Sequence, residues 1–149
     1  MANIVPNSFK SGLLKGTFNF DTSGNGGNTF KCALYTSISS YSVASTVYLA
    51  GTSNGEVSSS GTAYSAGGNT LTNEGIAGTT TAYVDFQDLT FPSVTLTAAG
   101  AAIYKTTGGG NELVLVCLTL SLSIKAIYLI LYYASPKLII AFEASAVGN

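Results

Sequence analysis

The stretch LTLSLSIKAIYLILYY, residues 118–133, decides the fold. In a chain with only 9% charged residues, it is either a membrane helix or the inside of a β structure. Leu118, Leu120, Leu122 and Ile124 alternate with Thr119, Ser121, Ser123 and Lys125. Strict period two is the signature of a half-buried strand. On a helix the same hydroxyls and the Lys would spread around every face. Lys125 also interrupts any span of about 20 apolar residues, the length a bilayer requires. Residues 126–133 form a second apolar run, ended by Ser135-Pro136. Leu138, Ile140 and Phe142 then alternate with Lys137, Ile139, Ala141 and Glu143. Three strands account for this region better than one helix, and no membrane partner is expected. The run at 126–133 is read as a strand covered on both faces, although periodicity alone does not separate that from a short helix.

Outward from there, residues 113–116 are apolar at every position, as in a strand covered on both sides. Phe30, Cys32 and Leu34 alternate with Lys31, Ala33 and Tyr35 in another strand. TAYVDF and the two halves of LTFPSVTLTAAGAAIYK add more, with TFNF at 17–20 as a short one. Gly67-Gly68 and Gly108–Gly110 read as turns, since glycine admits positive φ. Residues 37–60 are rich in Ser, Thr and Gly and read as a long connection around a strand at 47–49. Only the start looks helical. Asn7 or Ser8 can cap a helix whose apolar side is Phe9, Leu13 and Leu14, with Lys15 near its end and Gly16 just beyond. Strands arrive about every ten residues, so the expected fold is all-β: an antiparallel β-sandwich or jelly roll with one short N-terminal helix. A length of 149 residues fits a single domain, 1–149.

The net charge is −1, and all six cations are Lys. Nucleic-acid binding wants a clustered basic surface, so no nucleic-acid partner is expected. His is absent, which removes the usual general base and the commonest zinc ligand. The opening MANIVPNSFK lacks a basic segment followed by an apolar run, so synthesis in a cytoplasm without a signal peptide is expected. Cys32 and Cys117 both sit in apolar strand-like runs and read as buried free thiols, with a disulfide as the alternative.

Two constellations invite a chemical reading. Asp21, Ser23, Asn25 and Gly26 match the first positions of a calcium loop, but Cys32 stands where the bidentate Glu belongs. The stretch therefore reads as a glycine-rich turn. Asp85, Asp88 and Glu74 could form a carboxylate set for glycoside hydrolysis. Three residues apart on a strand means opposite faces, so Asp85 and Asp88 read as surface charge. The sequence has no phosphate loop, no nucleophile elbow and no metal-ligand cluster. No catalytic residue, no metal site and no cofactor are expected.

Four pieces occur in a telling order: NSFKSGLLKG, FKCALYTS, GTAYSAGGNTLTN and VTLTAAGAAIYKTT. They resemble a family of small β-rich structural proteins of tailed-bacteriophage virions. The matching positions are Gly61, Tyr64, Gly67, Gly68, Leu71 and Asn73, then Ala98, Ala101, Ile103, Tyr104 and Lys105. The resemblance covers residues 7–117, and the C-terminal third departs from the pattern. It implies a virion location and a non-enzymatic role as a capsid decoration or cement protein bound to the major capsid protein. A tail, baseplate or fibre-attachment subunit is the alternative within the same class; a glycan-binding adhesin module is the alternative outside it. Tyr128, Leu131, Tyr132 and Tyr133 are the candidate interface residues, because the doubly apolar run needs cover on two sides. A homo-oligomer is expected, with a trimer suggested by the threefold sites that many decoration proteins occupy.

Overall fold

The computed structural model describes residues 3–78, 82–87, 89, 91 and 96–118, together with the backbone of 128–134 and 137–143. Among them, one α-helix, α1 (Asn7–Leu14), precedes β1 (Phe30–Tyr35), β2 (Asn69–Leu71), β3 (Asn73–Ala77), β4 (Tyr83–Phe86), β5 (Gly100–Lys105), β6 (Glu112–Leu118), β7 (Tyr128–Ala134) and β8 (Lys137–Glu143), with single 3-10 turns at Ser23–Asn25 and Thr52–Asn54. The protein is mostly antiparallel β with one short helix, as the patterning predicts.

The centre is a four-stranded sheet in the order β2-β1-β5-β6. β5 pairs with β1 along its whole length and with β6 on its other side. Its small residues matter here. A Cβ on Gly100 would sit 2.5 Å from Ile38 and 2.7 Å from the Cys117 carbonyl oxygen. The β5–β6 hairpin closes through Gly108 and Gly109, at φ 87° and 76°, and Asn111 at φ 49°. These positive values are why the sequence puts glycines and an Asn there.

Both faces of this sheet are buried. Phe30, Cys32, Leu34, Ala101, Ile103, Leu115 and Cys117 lie in one cluster. Ala33, Tyr35, Ala102, Tyr104, Leu113 and Val116 lie in the other. A register shift between Ile103 and Tyr104 leaves Val114 without a cross-strand partner, and Val114 joins Leu115 in the first cluster. Such a bulge turns consecutive side chains toward one side.

The first face is covered by α1, through Phe9, by Phe18 and Phe20, and by β4, through Val84 and Phe86. The second is covered by an irregular stretch that contributes Ile38, Tyr41, Tyr48 and Leu49. β3 and β4 form a two-stranded ribbon with a bulge between Asn73 and Gly75. β7 and β8 form another, running from Tyr128↔Glu143 to Ala134↔Lys137, and β7 passes close to β4. The outer edge of β6 is occupied by the chain itself. Ile4 and Val116 exchange two backbone hydrogen bonds, the Leu118 amide donates to Asn3 Oδ1, and the Leu113 amide donates to the Thr46 carbonyl.

Several expectations are corrected. TFNF is not a strand: the Asn19 amide donates to Asn28 Oδ1 and the Asn28 amide to the Asn19 carbonyl, closing a loop instead of a ladder. The stretch at 47–49 makes only an isolated bridge, Val47↔Glu112. The helix cap is Pro6, with no side-chain hydrogen bond, because the Asn7 amide and Ser8 hydroxyl donate to the Val43 and Ser45 carbonyls. Leu14, expected on the apolar side of the helix, is 92% exposed. Gly16 does take the left-handed conformation expected beyond Lys15, at φ 70°. Leu118 closes β6, and the rest of the alternating run, 119–125, lies outside the described residues, as do the first two residues of the run at 126–133.

Candidate functional site

The least expected feature lies along the free side of β1. β2 pairs only with Phe30, Lys31 and Cys32. Further along, the Val57 amide donates to the Leu34 carbonyl and the Thr36 amide to the Gly55 carbonyl. The neighbour of β1 is therefore built from two separate pieces of chain. In the gap between them, the Leu34 amide donates to the Tyr64 hydroxyl at 3.0 Å. A side-chain oxygen stands where a strand carbonyl would be, which satisfies a buried donor at a break in the ladder.

Tyr64 in turn donates to Glu56 Oε1 at 3.0 Å. Glu56 is 3% exposed. The Gly67 amide donates to Oε1, and the Gly51 amide and Tyr48 hydroxyl donate to Oε2. Burial alone would raise the Glu56 carboxyl, but these two amides and two hydroxyls outweigh it and hold the group below its ordinary value. The carboxylate stays ionised with all its donors internal. Burial, then the nearby Glu56 charge, push the Tyr104 hydroxyl up to about 12. Tyr104 stacks on Tyr48 with ring centres 4.2 Å apart and donates to the Gly67 carbonyl. Tyr35 donates to the Leu49 carbonyl and shares a 2.7 Å hydrogen bond with Tyr41, whose oxygen accepts from the Leu49 amide.

Chemically, the node fastens residues 48–67 to the sheet. A substrate could reach Glu56 only by displacing one of its four donors. The glycines of the turn are fitted to the same purpose. A Cβ on Gly68 would lie 1.8 Å from the Cys32 carbonyl oxygen, and Gly68 has φ 73°. Only glycine lets the backbone cross β1 this closely.

The residues that carry the family resemblance are thereby placed. Tyr64, Gly67, Gly68 and Tyr104 build the node. Asn73 Nδ2 donates to the Asp21 and Asn28 carbonyls, tying the ribbon to the loop before β1. Lys105 donates to the Thr17 carbonyl, lies over the Phe18 ring at 4.9 Å and pairs with Glu112 at 3.5 Å.

Of the other sequence candidates, those among the described residues are placed as follows. Asp21 Oδ1 accepts from the Thr22 amide and Asn25 Nδ2, and Gly26 is left-handed at φ 78°, which is a self-contained turn. Among the described residues, no group of three His, Cys, Asp or Glu side chains could hold a metal. Glu74 is exposed at the β3 bulge, and Asp85 accepts from the amide of its own neighbour Phe86. Asp88 lies outside the described residues. Cys32 and Cys117 are free and buried, with β5 between their strands. That separation is two strand spacings, roughly 9–10 Å, too far for a disulfide. Tyr128, Leu131, Tyr132 and Tyr133 all fall on β7, opposite Glu143, Ile140, Ile139 and Leu138, and their side chains are outside what the structure describes. No helix among the described residues is long and apolar enough to cross a membrane.

Glu56 was not singled out from the sequence. One carboxylate in NGEVSS matches no motif; its only signal is that it is the sole charge in residues 37–60, with Tyr41, Tyr48 and Tyr64 nearby. No family model, curated protein or solved structure matches this chain.

Proposed function

We propose that the protein is a non-enzymatic structural subunit of a phage virion. In this reading it is a capsid decoration or cement protein that binds the major capsid protein, associates with its own copies and stabilises the shell by cohesion. The observation that carries the reading is the use made of the matching residues. Tyr64, Gly67, Gly68, Asn73, Tyr104 and Lys105 fasten irregular chain to the sheet and to its neighbouring loops, which suits a subunit selected for a durable shape. A low-charge surface also suits repeated packing, since charged copies would accumulate repulsion.

The finer fold that goes with this reading is a β-sandwich of jelly-roll type. Val84 and Phe86 of β4 share a core with β1, β5 and β6, and β7 runs beside β4. The β3–β4 and β7–β8 ribbons then make the second layer, and residues of β7 such as Tyr128, Leu131, Tyr132 and Tyr133 supply contacts between copies, with a trimer as the expected order.

The test is to count and remove the protein in purified particles. The expected result is hundreds of copies per particle, and shells lacking it that open at lower temperature. A handful of copies at one vertex would instead make it a tail or fibre-attachment subunit. Binding to a glycan array with no effect on shells would make it an adhesin.

A further inference from the structure

We propose that Asn54 is a covalent modification site held shut by the Glu56 node. Its side-chain amide is lost through attack by the Gly55 nitrogen once the node opens, and the product keeps the node from closing.

The reaction needs only the chain and water. The backbone nitrogen after an Asn attacks the side-chain carbonyl carbon. A C–N bond forms, that nitrogen gives up its proton, and the amide group leaves as ammonia. A five-membered succinimide ring remains. Water then opens the ring at either carbonyl. One product is Asp; the other is isoaspartate, whose main chain is one methylene longer. Glycine in the next position favours attack, because it has no Cβ to crowd its nitrogen. Asn-Gly occurs twice in this chain, as Asn25-Gly26 and Asn54-Gly55.

Both pairs end a 3-10 turn with the glycine in the left-handed conformation, at φ 78° and 89°. In such a turn ψ is roughly −20 to −30°. The glycine nitrogen is then nearly eclipsed with the Asn backbone nitrogen instead of with its Cβ. The ring closes only after the peptide plane between the two residues swings round. The two turns resist that swing unequally. Asn25 and Gly26 are exposed, the Gly26 amide donates to the Ser23 carbonyl at 3.3 Å, and nothing lies within 4 Å of a Cβ on Gly26. Around Asn54 the plane is clamped. The Gly55 amide donates to the Thr52 carbonyl at 3.0 Å, and Asn54 Nδ2 donates to the Ala50 carbonyl at 2.7 Å. The Gly55 carbonyl accepts from both the amide and the hydroxyl of Thr36. A Cβ on Gly55 would collide with the Ser37 carbonyl, so the glycine has little room to turn.

Glu56 closes this turn twice over. Its amide donates to the Gly51 carbonyl, and its Oε2 accepts from the Gly51 amide at 2.7 Å. Asn54 thus sits inside a loop whose two ends Glu56 holds together. Glu56 is held in turn by Tyr48, Tyr64 and Gly67. Attack therefore waits on a local opening that releases Glu56. Afterwards the loop no longer fits. Either product replaces the group that donated to Ala50 with an acceptor, and isoaspartate also lengthens the backbone two residues before Glu56.

Peptide mapping by mass spectrometry tests this on the full chain, aged in mildly alkaline buffer below the range in which its tyrosines titrate. Unfolded in guanidinium, Asn25 and Asn54 should convert at similar rates. In the folded chain Asn54 should convert at least about tenfold more slowly than in the unfolded one, while Asn25 stays nearer its unfolded rate. Glu56→Gln should raise the Asn54 rate at least about tenfold and leave Asn25 unchanged, because it opens one loop and not the fold. If that variant does not fold by circular dichroism, Tyr48→Phe takes its place, with the same direction and a smaller factor, since it removes one donor of Glu56. A folded wild type that loses the Asn54 amide as fast as the unfolded chain overturns the gate. So does a folded variant in which the Asn54 rate is unchanged, or in which Asn25 speeds up equally, the mark of global unfolding. Protein aged to full conversion of Asn54 should melt below protein aged only to conversion of Asn25, and equal melting overturns the locking step.

Discussion

The two faces of the central sheet are packed with different aromatics. Phe9, Phe20, Phe30, Phe86 and Phe91 lie in the first cluster, with Phe18 against it. Tyr35, Tyr41 and Tyr104 lie in the second, with Tyr48 against it. The phenylalanines stack and meet edge-on, as with Phe20 and Phe30 at 4.6 Å. The tyrosines do the same and also donate to carbonyls and to Glu56. The difference follows from what covers each face. The Phe side meets α1 and β4, whose backbone polar groups are largely paired within the element and its ladder, and the loop of Phe18 and Phe20, which closes through the Asn19–Asn28 hydrogen bonds. The Tyr side meets chain without regular structure, whose buried amides and carbonyls must find side-chain partners. Tyr64 belongs to the first cluster by its ring and to the node by its hydroxyl, so it joins the two regimes.

Alkaline pH should separate the faces most. Burial first, then the charge of Glu56, raise the Tyr48 and Tyr104 hydroxyls above the ordinary value. Tyr35, Tyr41 and Tyr64 are raised as well, with burial the leading cause. Above about pH 10 the unfolded chain loses protons that the folded chain keeps, so stability falls as pH rises. The protein should unfold in alkali, with tyrosinate absorbance appearing together with the loss of the β spectrum. Tyrosinate forming fully while the fold persists would show the hydroxyls to be free. At the acid end, Glu56 is held low, so its contribution is present above about pH 4.3 and is lost as pH falls through its folded value.

Phe30→Ala comes next. It removes a fully buried ring that contacts Phe20 and Phe86, at a cost of about 3–5 kcal/mol measured by denaturant unfolding. Glu56→Gln should cost about 2–3 kcal/mol, because its amide group presents donors toward donors. The acid-side slope should vanish with it.

The smallest effects come from exchanging the aromatics. Phe86→Tyr should cost about 1–3 kcal/mol, since it buries a hydroxyl among rings. Tyr48→Phe should cost about 1 kcal/mol, the net value of one hydrogen bond. Equal and negligible costs for both would dissolve the distinction between the faces.

Much of the sheet was legible in the sequence. The alternation at 30–35 and the all-apolar run at 113–116 set β1 and β6, and glycines marked the β5–β6 turn. The run at 126–133, which periodicity left open between helix and strand, contains most of β7. The Tyr face was not legible, because it is held by contacts that carry no period. Glu56 bonds to groups five to eleven residues away, and Tyr64 reaches Leu34 across 30 residues. Hydrophobic patterning sees strands and amphipathic helices. It does not see a lone carboxylate that organises a loop. TFNF failed for the opposite reason: its alternation is real, but its phenylalanines pack into a core beside a strand without joining one.

The occupied rim of β6 has a consequence for life at high concentration. An open strand rim is a template on which another chain can add, and stacked addition of this kind is how soluble β proteins become fibres. Here Ile4 fills the rim at Val116, Asn3 at Leu118 and Thr46 at Leu113. The chain thus withholds this strand rim from other copies of itself. Deleting residues 1–5 should remove the Ile4 and Val5 packing on the two core clusters and uncover the rim at Val116 and Leu118, and the mark of that exposure would be a thioflavin-positive precipitate that forms faster as the protein is concentrated.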